Sequence, residues 1–216
     1  GPALSARFHM PSGMVKMGDG AVIIADVRNN RIRKLFKGVV TTVAGGERGF
    51  ADGPGADARF CGPYGVTLDE QGRLLVTDQD NHRIRLVTSE GVTTTLGGAD
   101  GPRIEGWPAG IMRAKDGTVF VTTMGDTHRI LTVSPDGTVA TLAGSAERGR
   151  ADGRGEAARF DTPAALAEGP DGLLYVADLG LSLIRRVDRE ENVTTLAGRP
   201  WMHGETNQSI DGDIED

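Results

Sequence analysis

The chain has 216 residues, a net charge of −6, 32 glycines and one cysteine. So many glycines exclude a helical bundle, because each costs about 1 kcal/mol inside a helix. The lone Cys61 excludes an intrachain disulfide framework and a multi-cysteine zinc site. No apolar run reaches the roughly 18 residues of a membrane span, and the acidic balance speaks against a dedicated nucleic-acid binder, which leaves a soluble, turn-rich, all-β chain.

Four look-alike units follow one another, over 6–46, 58–98, 106–144 and 158–198. In the first, a strand is predicted after Pro11, a tight turn at Asp19-Gly20, an apolar strand "VIIAD", a strand opened by Arg31-Ile32, and a β-branched strand "VVTTVAGG". The second repeats this order from Pro63, with a Gln71-Gly72 turn, "LLVTD", Arg83-Ile84 and "VTTTLGG". The third starts at Pro108, with Asp116-Gly117, "VFVTT", Arg129-Ile130 and "VATLAG". The fourth starts at Pro163, with Asp171-Gly172, "LLYVAD", Leu183-Ile184 and "VTTLAG". Proline is tolerated where a strand begins, and the turn pairs supply the positive φ that hairpins need. The second strand of each unit is apolar on both faces, which places it centrally in a sheet packed between neighbours. Units of about 50 residues with four short strands predict the blades of a β-propeller. Residues 199–216 read as an acidic, connector-like tail.

The pattern around "LLVTDQDNHRIR" and "GVTTTLGG", with Asn81-His82-Arg83 nearest the name-giving triplet, resembles the NHL repeat. The resemblance runs from about residue 6 to 198. It implies a propeller, usually of about six blades, that often serves as a protein or RNA interaction platform. A minority of such proteins are metal-dependent lyases or lactonases. Four repeats leave three arrangements open: part of a larger propeller, a small ring or arc standing alone, or a propeller completed by a second copy. The open apolar edges of such an arc invite self-association.

Antiparallel order places the second-to-third-strand corners and the long inter-unit connectors on one face, with only tight turns on the other. Function on a rigid scaffold favours long loops, so the connector face is the expected working surface. Features that recur in several units read as joinery. Asp26, Asp78 and Asp178 end the second strands, with Thr123 in the odd unit, and are expected to pair with the arginines that open the third strands: Arg31, Arg83 and Arg129. Phe8, Phe60 and Phe160 of the "ARF" triplets are expected between blades, with Trp107 taking that place in the third unit or facing a partner. His9, His82 and His128 make a poor three-histidine metal set, because His9 sits at a different repeat position. His203 has no repeat equivalent, and the carboxylates of "DGDIED" match an ion-binding loop poorly and read as a solvated acidic end. No phosphate loop, dinucleotide fingerprint or nucleophile elbow occurs.

The unmatched or loop-borne residues are then the candidates for partner contact: Arg28, Phe50, Asp80, His82, Trp107, Asp126, His128 and Trp201. The resulting expectation is a non-catalytic propeller scaffold that binds a protein partner through its connectors. No cofactor, metal, nucleic acid or membrane span is expected. The alternatives are a metal-dependent lyase or lactonase and an RNA-binding module.

Overall fold

A computed structural model describes residues 1–98 and 100–199, so Trp201, His203 and the acidic tail lie outside the described residues. It is an all-β propeller architecture of four blades. The first blade holds β1 (Pro11–Lys16), β2 (Val22–Asp26), β3 (Arg31–Phe36) and β4 (Val39–Gly45), in sheet order β1-β2-β3-β4. The second adds β5 (Gly53–Pro54) outside four strands: β6 (Pro63–Leu68), β7 (Leu74–Asp78), β8 (Arg83–Val87) and β9 (Val92–Thr95). The third holds β10 (Trp107–Arg113), β11 (Val119–Met124), β12 (His128–Val133) and β13 (Val139–Ser145). The fourth has β14 (Gly153–Arg154) outside β15 (Pro163–Glu168), β16 (Leu174–Asp178), β17 (Leu183–Val187) and β18 (Asn192–Gly198).

Every second strand is shielded by its neighbours, and all five residues of β7 are buried. At the corner after each second strand except the third, one turn of 3-10 helix ends on a left-handed residue: Asn30, His82 or Ser182, with φ of 51, 55 and 56°. The inner strands stack side by side, β1 on β6, β6 on β10 and β10 on β15. Gly65 is why β6 and β10 come so close: a Cβ there would collide with the Ala109 carbonyl. Thr77 fastens the same spot. Its hydroxyl donates to that carbonyl at 2.7 Å and accepts the Gly65 N–H at 2.7 Å.

Three apolar clusters fill the joints between blades. Phe60 lies fully buried among Ile32 and Ala44 of the first blade and Val66, Leu74 and Val76 of the second. Phe160 plays the same part between Ile130 and Ala143 of the third blade and Val176 and Val187 of the fourth. Trp107 does not take this role in the third blade. It is 47% exposed, and its ring lies over Gly125. Ile104, 3% exposed, fills the joint instead, beside Leu75, Ile84 and Val121. The shorter connector delivers an aliphatic side chain three residues earlier, so the tryptophan at the strand's mouth is left on the rim.

The straps β5 and β14 were not legible as strands. Each connector leaves the connector face, runs along the outermost strand of the next blade, and returns to the inner strand. Gly53 pairs with Thr93 and Pro54 with Val92, and Gly153 pairs with Val193.

Candidate functional site

The recurrent aspartates organise the connector face. One Asp78 oxygen accepts the Cys61 N–H at 2.7 Å; the other accepts Asn81 Nδ2 and Arg85 Nη1, both at 2.8 Å. Asp26 repeats this with the His9 N–H, Asn29 and Arg33, and Asp178 with the Asp161 N–H and Arg185. The paired arginine therefore differs from the expected one. Arg83 stands opposite Asp78 in register, but the diagonal neighbour Arg85 reaches the carboxylate. A long guanidinium spans that diagonal, and at Arg85 its two Nη atoms find four acceptors between them. Arg85 also binds the Arg59 carbonyl, the Ala51 carbonyl and, at 2.6 Å, the strap residue Asp52. The rings of Phe50 and Phe60 lie 4.8 and 5.1 Å from its guanidinium carbon. Arg185 makes the same clasp with Asp178, Asp152 and Phe160. Both guanidiniums are fully buried.

In the third blade both charges are gone together. Thr123 stands at the aspartate position and Leu131 at the arginine position. The Thr123 hydroxyl accepts the Arg129 N–H at 3.1 Å and bonds Thr127 Oγ1 at 2.8 Å, a neutral version of the same corner. Arg129 itself pairs with Glu105 at 2.7 Å.

Burial pushes the Asp178 carboxyl up to about 6, against the pull of the Asp161 N–H and Arg185, from an ordinary 3.8. Burial raises Asp78 as well. Folding therefore takes up a proton at Asp178 between about pH 4 and 6, and the stability this carboxyl contributes falls as pH rises through that window. Asp178→Asn lacks this titration. The melting temperature of the native protein relative to the variant is expected to decline between about pH 4 and 7, as followed by circular dichroism. A constant difference would refute the upward shift.

A second recurrence links neighbouring blades. The corner residue of one blade bonds the residue just before the next blade's inner strand. Asn30 Oδ1 accepts the Gly62 N–H at 3.1 Å, and His82 Nδ1 donates to the Gly106 carbonyl at 2.6 Å. His128 Nδ1 accepts the Thr162 N–H at 3.1 Å. Expected to face a partner, His128 is instead 1% exposed inside this joint, and burial lowers its pKa. His9, His82 and His128 are not brought together. Among the described residues, no group of three His, Cys, Asp or Glu side chains is placed to hold a metal ion.

On this framework the rim carries a polar cluster. Arg48, from the first connector, donates through Nε to Cys61 Sγ at 2.8 Å and through Nη2 to Asp80 at 3.4 Å. The Cys61 thiol donates to the same Asp80 oxygen at 3.3 Å. The Arg48 and Asp80 side chains are 72 and 40% exposed, whereas Cys61 is 7% exposed and burial raises its thiol pKa. The thiol is thus a protonated spacer between two accessible charges. The fourth blade carries a variant of this cluster. Arg148 stands 3.8 Å from Asp161, which occupies the Cys61 position, while Gly180 replaces Asp80. Of the other sequence candidates, Arg28, Phe50 and Asp126 are exposed, and the His82 ring sits in its joint. Sequence reasoning missed Arg48 and Cys61. The signal for Arg48 was its recurrence as Arg148 in the closely matching connectors 47–60 and 147–160.

Comparison with known proteins places this geometry in context. The NHL repeat model matches residues 60–85. The chain is 36% identical over 108 residues to bovine NHL repeat-containing protein 2, a stretch covering 43% of this chain and 15% of that protein. Among solved structures, virginiamycin B lyase from Staphylococcus aureus superposes over 86% of this chain and 55% of its own, at a TM-score of 0.62 and 19% identity. The gluconolactonase XC5397 from Xanthomonas campestris superposes over 92% of this chain and 66% of its own, at 0.68 and 19% identity. The matched stretches span 10–15% of the curated relatives' length. At these identities the structural likeness is one of fold. It nevertheless overturns the expectation of a non-catalytic scaffold, because enzymes with a lyase and a lactonase name share this blade architecture across most of the chain. No helix among the described residues is long and apolar enough to cross a membrane.

Proposed function

The chain is an NHL-repeat protein of four-bladed β-propeller architecture, and from that premise we propose a lyase- or lactonase-type activity at the connector face, centred on Arg48 and Asp80. The observation that carries this reading is the pairing of one exposed guanidinium with one exposed carboxylate, held on a buried Asp78 framework, in a fold shared with a lyase and a gluconolactonase. The described residues do not fit a metal ion, so no step passes through one.

Arg48 and Asp80 form a single, long, solvent-exposed contact, which costs little to open. A cyclic ester entering between them presents a carbonyl oxygen to Arg48, the ester's own for hydrolysis or that of a neighbouring amide for elimination. Negative charge develops on that oxygen whether water attacks the carbonyl carbon or a proton leaves the adjacent carbon, and the guanidinium stabilises it in both cases. Asp80 accepts the proton in both cases. In hydrolysis, water oxygen bonds the carbonyl carbon, the ring C–O bond breaks, and the proton on Asp80 passes to the departing alkoxide. In elimination, the proton leaves the carbon between the amide carbonyl held by Arg48 and the carbon that bears the ester oxygen; its electron pair forms the C=C bond as that carbon's bond to the ester oxygen breaks, the ester departs as a carboxylate, and Asp80 passes its proton to solvent.

The test is turnover of sugar-acid lactones and of cyclic ester-linked peptides, followed by mass spectrometry. Hydrolysis adds the mass of one water, whereas elimination leaves the mass unchanged. Asp80→Asn is expected to lower the rate about 100- to 10,000-fold while leaving the melting temperature in place, because Asp80 is at the surface. Absence of turnover across the panel, or a full rate in Asp80→Asn, overturns the reading.

A further inference from the structure

At the turn face, opposite the candidate site, the joints between blades differ from one another. Between the first and second blades, Met17 and Leu68 pack over the Phe60 cluster. Turn geometry and register put Ala114 at the Met17 position of the third blade and Glu168 at the Leu68 position of the fourth. The joint between those two blades therefore lacks both large apolar side chains. A groove of about 730 Å³ opens there, floored by Met112, Phe120, Leu142, Leu174 and Val187. Both blades that wall it are complete, and its volume is that of small-molecule sites. The joint between the second and third blades carries Asp69 and Arg113 at the same two positions. The bridges Asp69–Arg73 at 2.6 Å and Arg113–Glu70 at 2.8 Å form across them, and its cavity is about 120 Å³.

The rim of the groove carries charge of two kinds. Its carboxylates serve the fold. Asp116 accepts the Thr118 N–H and Asp171 the Leu173 N–H, as Asp19 accepts the Ala21 N–H in the first blade. Asp171 also accepts the Tyr175 hydroxyl, Asp188 holds Asn192 through both oxygens, and Glu168 accepts the Lys115 N–H at 2.9 Å. Its cations have no such task. The Lys115 and Arg189 side chains are exposed and make no hydrogen bond or ion pair among the described residues. The Thr118 bonds, with a weak contribution from the Arg189 charge, hold Asp116 below the usual carboxylate range. At the first joint the same two positions hold Gly18 and Ser89, and at the second Glu70 and Pro135. The two cations therefore come together at the one joint where the apolar floor is open.

From this conjunction we infer that the groove binds a small amphipathic carboxylic acid, one molecule per chain. Its apolar body takes the space that Met17 and Leu68 fill at the first joint, and its carboxylate meets Lys115 and Arg189 at the rim. Burial of the body supplies the larger share of the affinity, and the cations select the head group. An ammonium head would face both cations and find the carboxylates already bonded within their turns. The site is separate from Arg48 and Asp80, which lie on the connector face.

Isothermal titration calorimetry of the full chain reads the outcome, with decanoate, decanol and decyltrimethylammonium as probes of one body and three head groups. Decanoate is expected to bind with one-to-one stoichiometry, more tightly than decanol, and decyltrimethylammonium most weakly. Ala114→Met puts into the third blade the side chain that fills the first joint, and is expected to abolish saturable binding of decanoate and decanol alike. Lys115→Ser combined with Arg189→Ser is expected to weaken decanoate about tenfold or more while leaving decanol unchanged. Both changes of that double variant lie on exposed turns, so it carries the test independently of any repacking at Ala114. Absence of saturable decanoate binding to the native protein overturns the inference. Decanoate binding that survives both Ala114→Met and the double variant places the acid elsewhere and overturns it too. Tighter binding of decyltrimethylammonium than of decanoate would show that the rim carboxylates select the head group, and would equally refute it.

Discussion

Arg85→Leu is expected to cost about 3–5 kcal/mol of folding stability, read as a shift of the urea midpoint at unchanged slope. The loss is far larger than the attraction within the pair. Removing the guanidinium leaves the fully buried Asp78 carboxylate without its cation, and strips the Asp52 strap and two carbonyls of their donor. The second half of the experiment is already present in the molecule. The third blade dispenses with both charges, carrying Thr123 and Leu131, and still folds its corner. Asp78→Thr combined with Arg85→Leu is therefore expected to recover more than half of the loss, since no buried charge stays unpaired. Recovery will be incomplete, because Asp52 and the two carbonyls lose their partner in the double variant too. If the double variant is less stable than Arg85→Leu alone, the aspartate is not the source of the penalty.

Phe60→Ala is the second large effect, at about 3–5 kcal/mol. The ring is fully buried between two blades, rests on the Gly45 backbone, and covers the Arg85 guanidinium. Truncation opens a cavity lined on both sides by separate sheets, neither of which can move in to fill it without breaking its own hydrogen bonds. The equivalent Phe8→Ala is expected to cost little in the isolated chain, because Phe8 is only partly covered. Measuring both melting temperatures at low micromolar concentration separates a ring that plugs a joint from one that merely stacks on arginine. Equal losses would show that the cation–π contact, common to both, carries the energy.

The sheets were legible in the sequence because their signals are local and repeated: a proline, a Gly turn, an apolar run and a β-branched run per unit. The joints were less legible. That Asp78 chooses Arg85 over Arg83 depends on which acceptors surround each guanidinium, and these arrive from residues 51, 52 and 59. The Trp107 and Ile104 exchange was hidden for a related reason: a shortened connector changes which side chain reaches the gap, and spacing to Pro108 alone does not reveal it. Straps as short as Gly53–Pro54 give no periodicity to detect. The rim cluster escaped notice because recurrence reads as joinery and Arg48 recurs as Arg148, while Cys61, the sole cysteine, forms no pattern. His82 and His128 drew attention as loop histidines, yet their bonds run between blades.

The strap has a consequence for how such a molecule can be recombined. Asp52 clasps Arg85 and caps Thr95 of the following blade, and Asp152 does so for Arg185 and Thr195. A cassette excised for grafting into a foreign ring has to start upstream of this aspartate, within the preceding connector. A cut at the first residue of the inner strand would transplant a sheet with its fastening left behind. Gene duplication faces the same geometry, and copying errors that respect it yield a spare unit already equipped to lock itself in place.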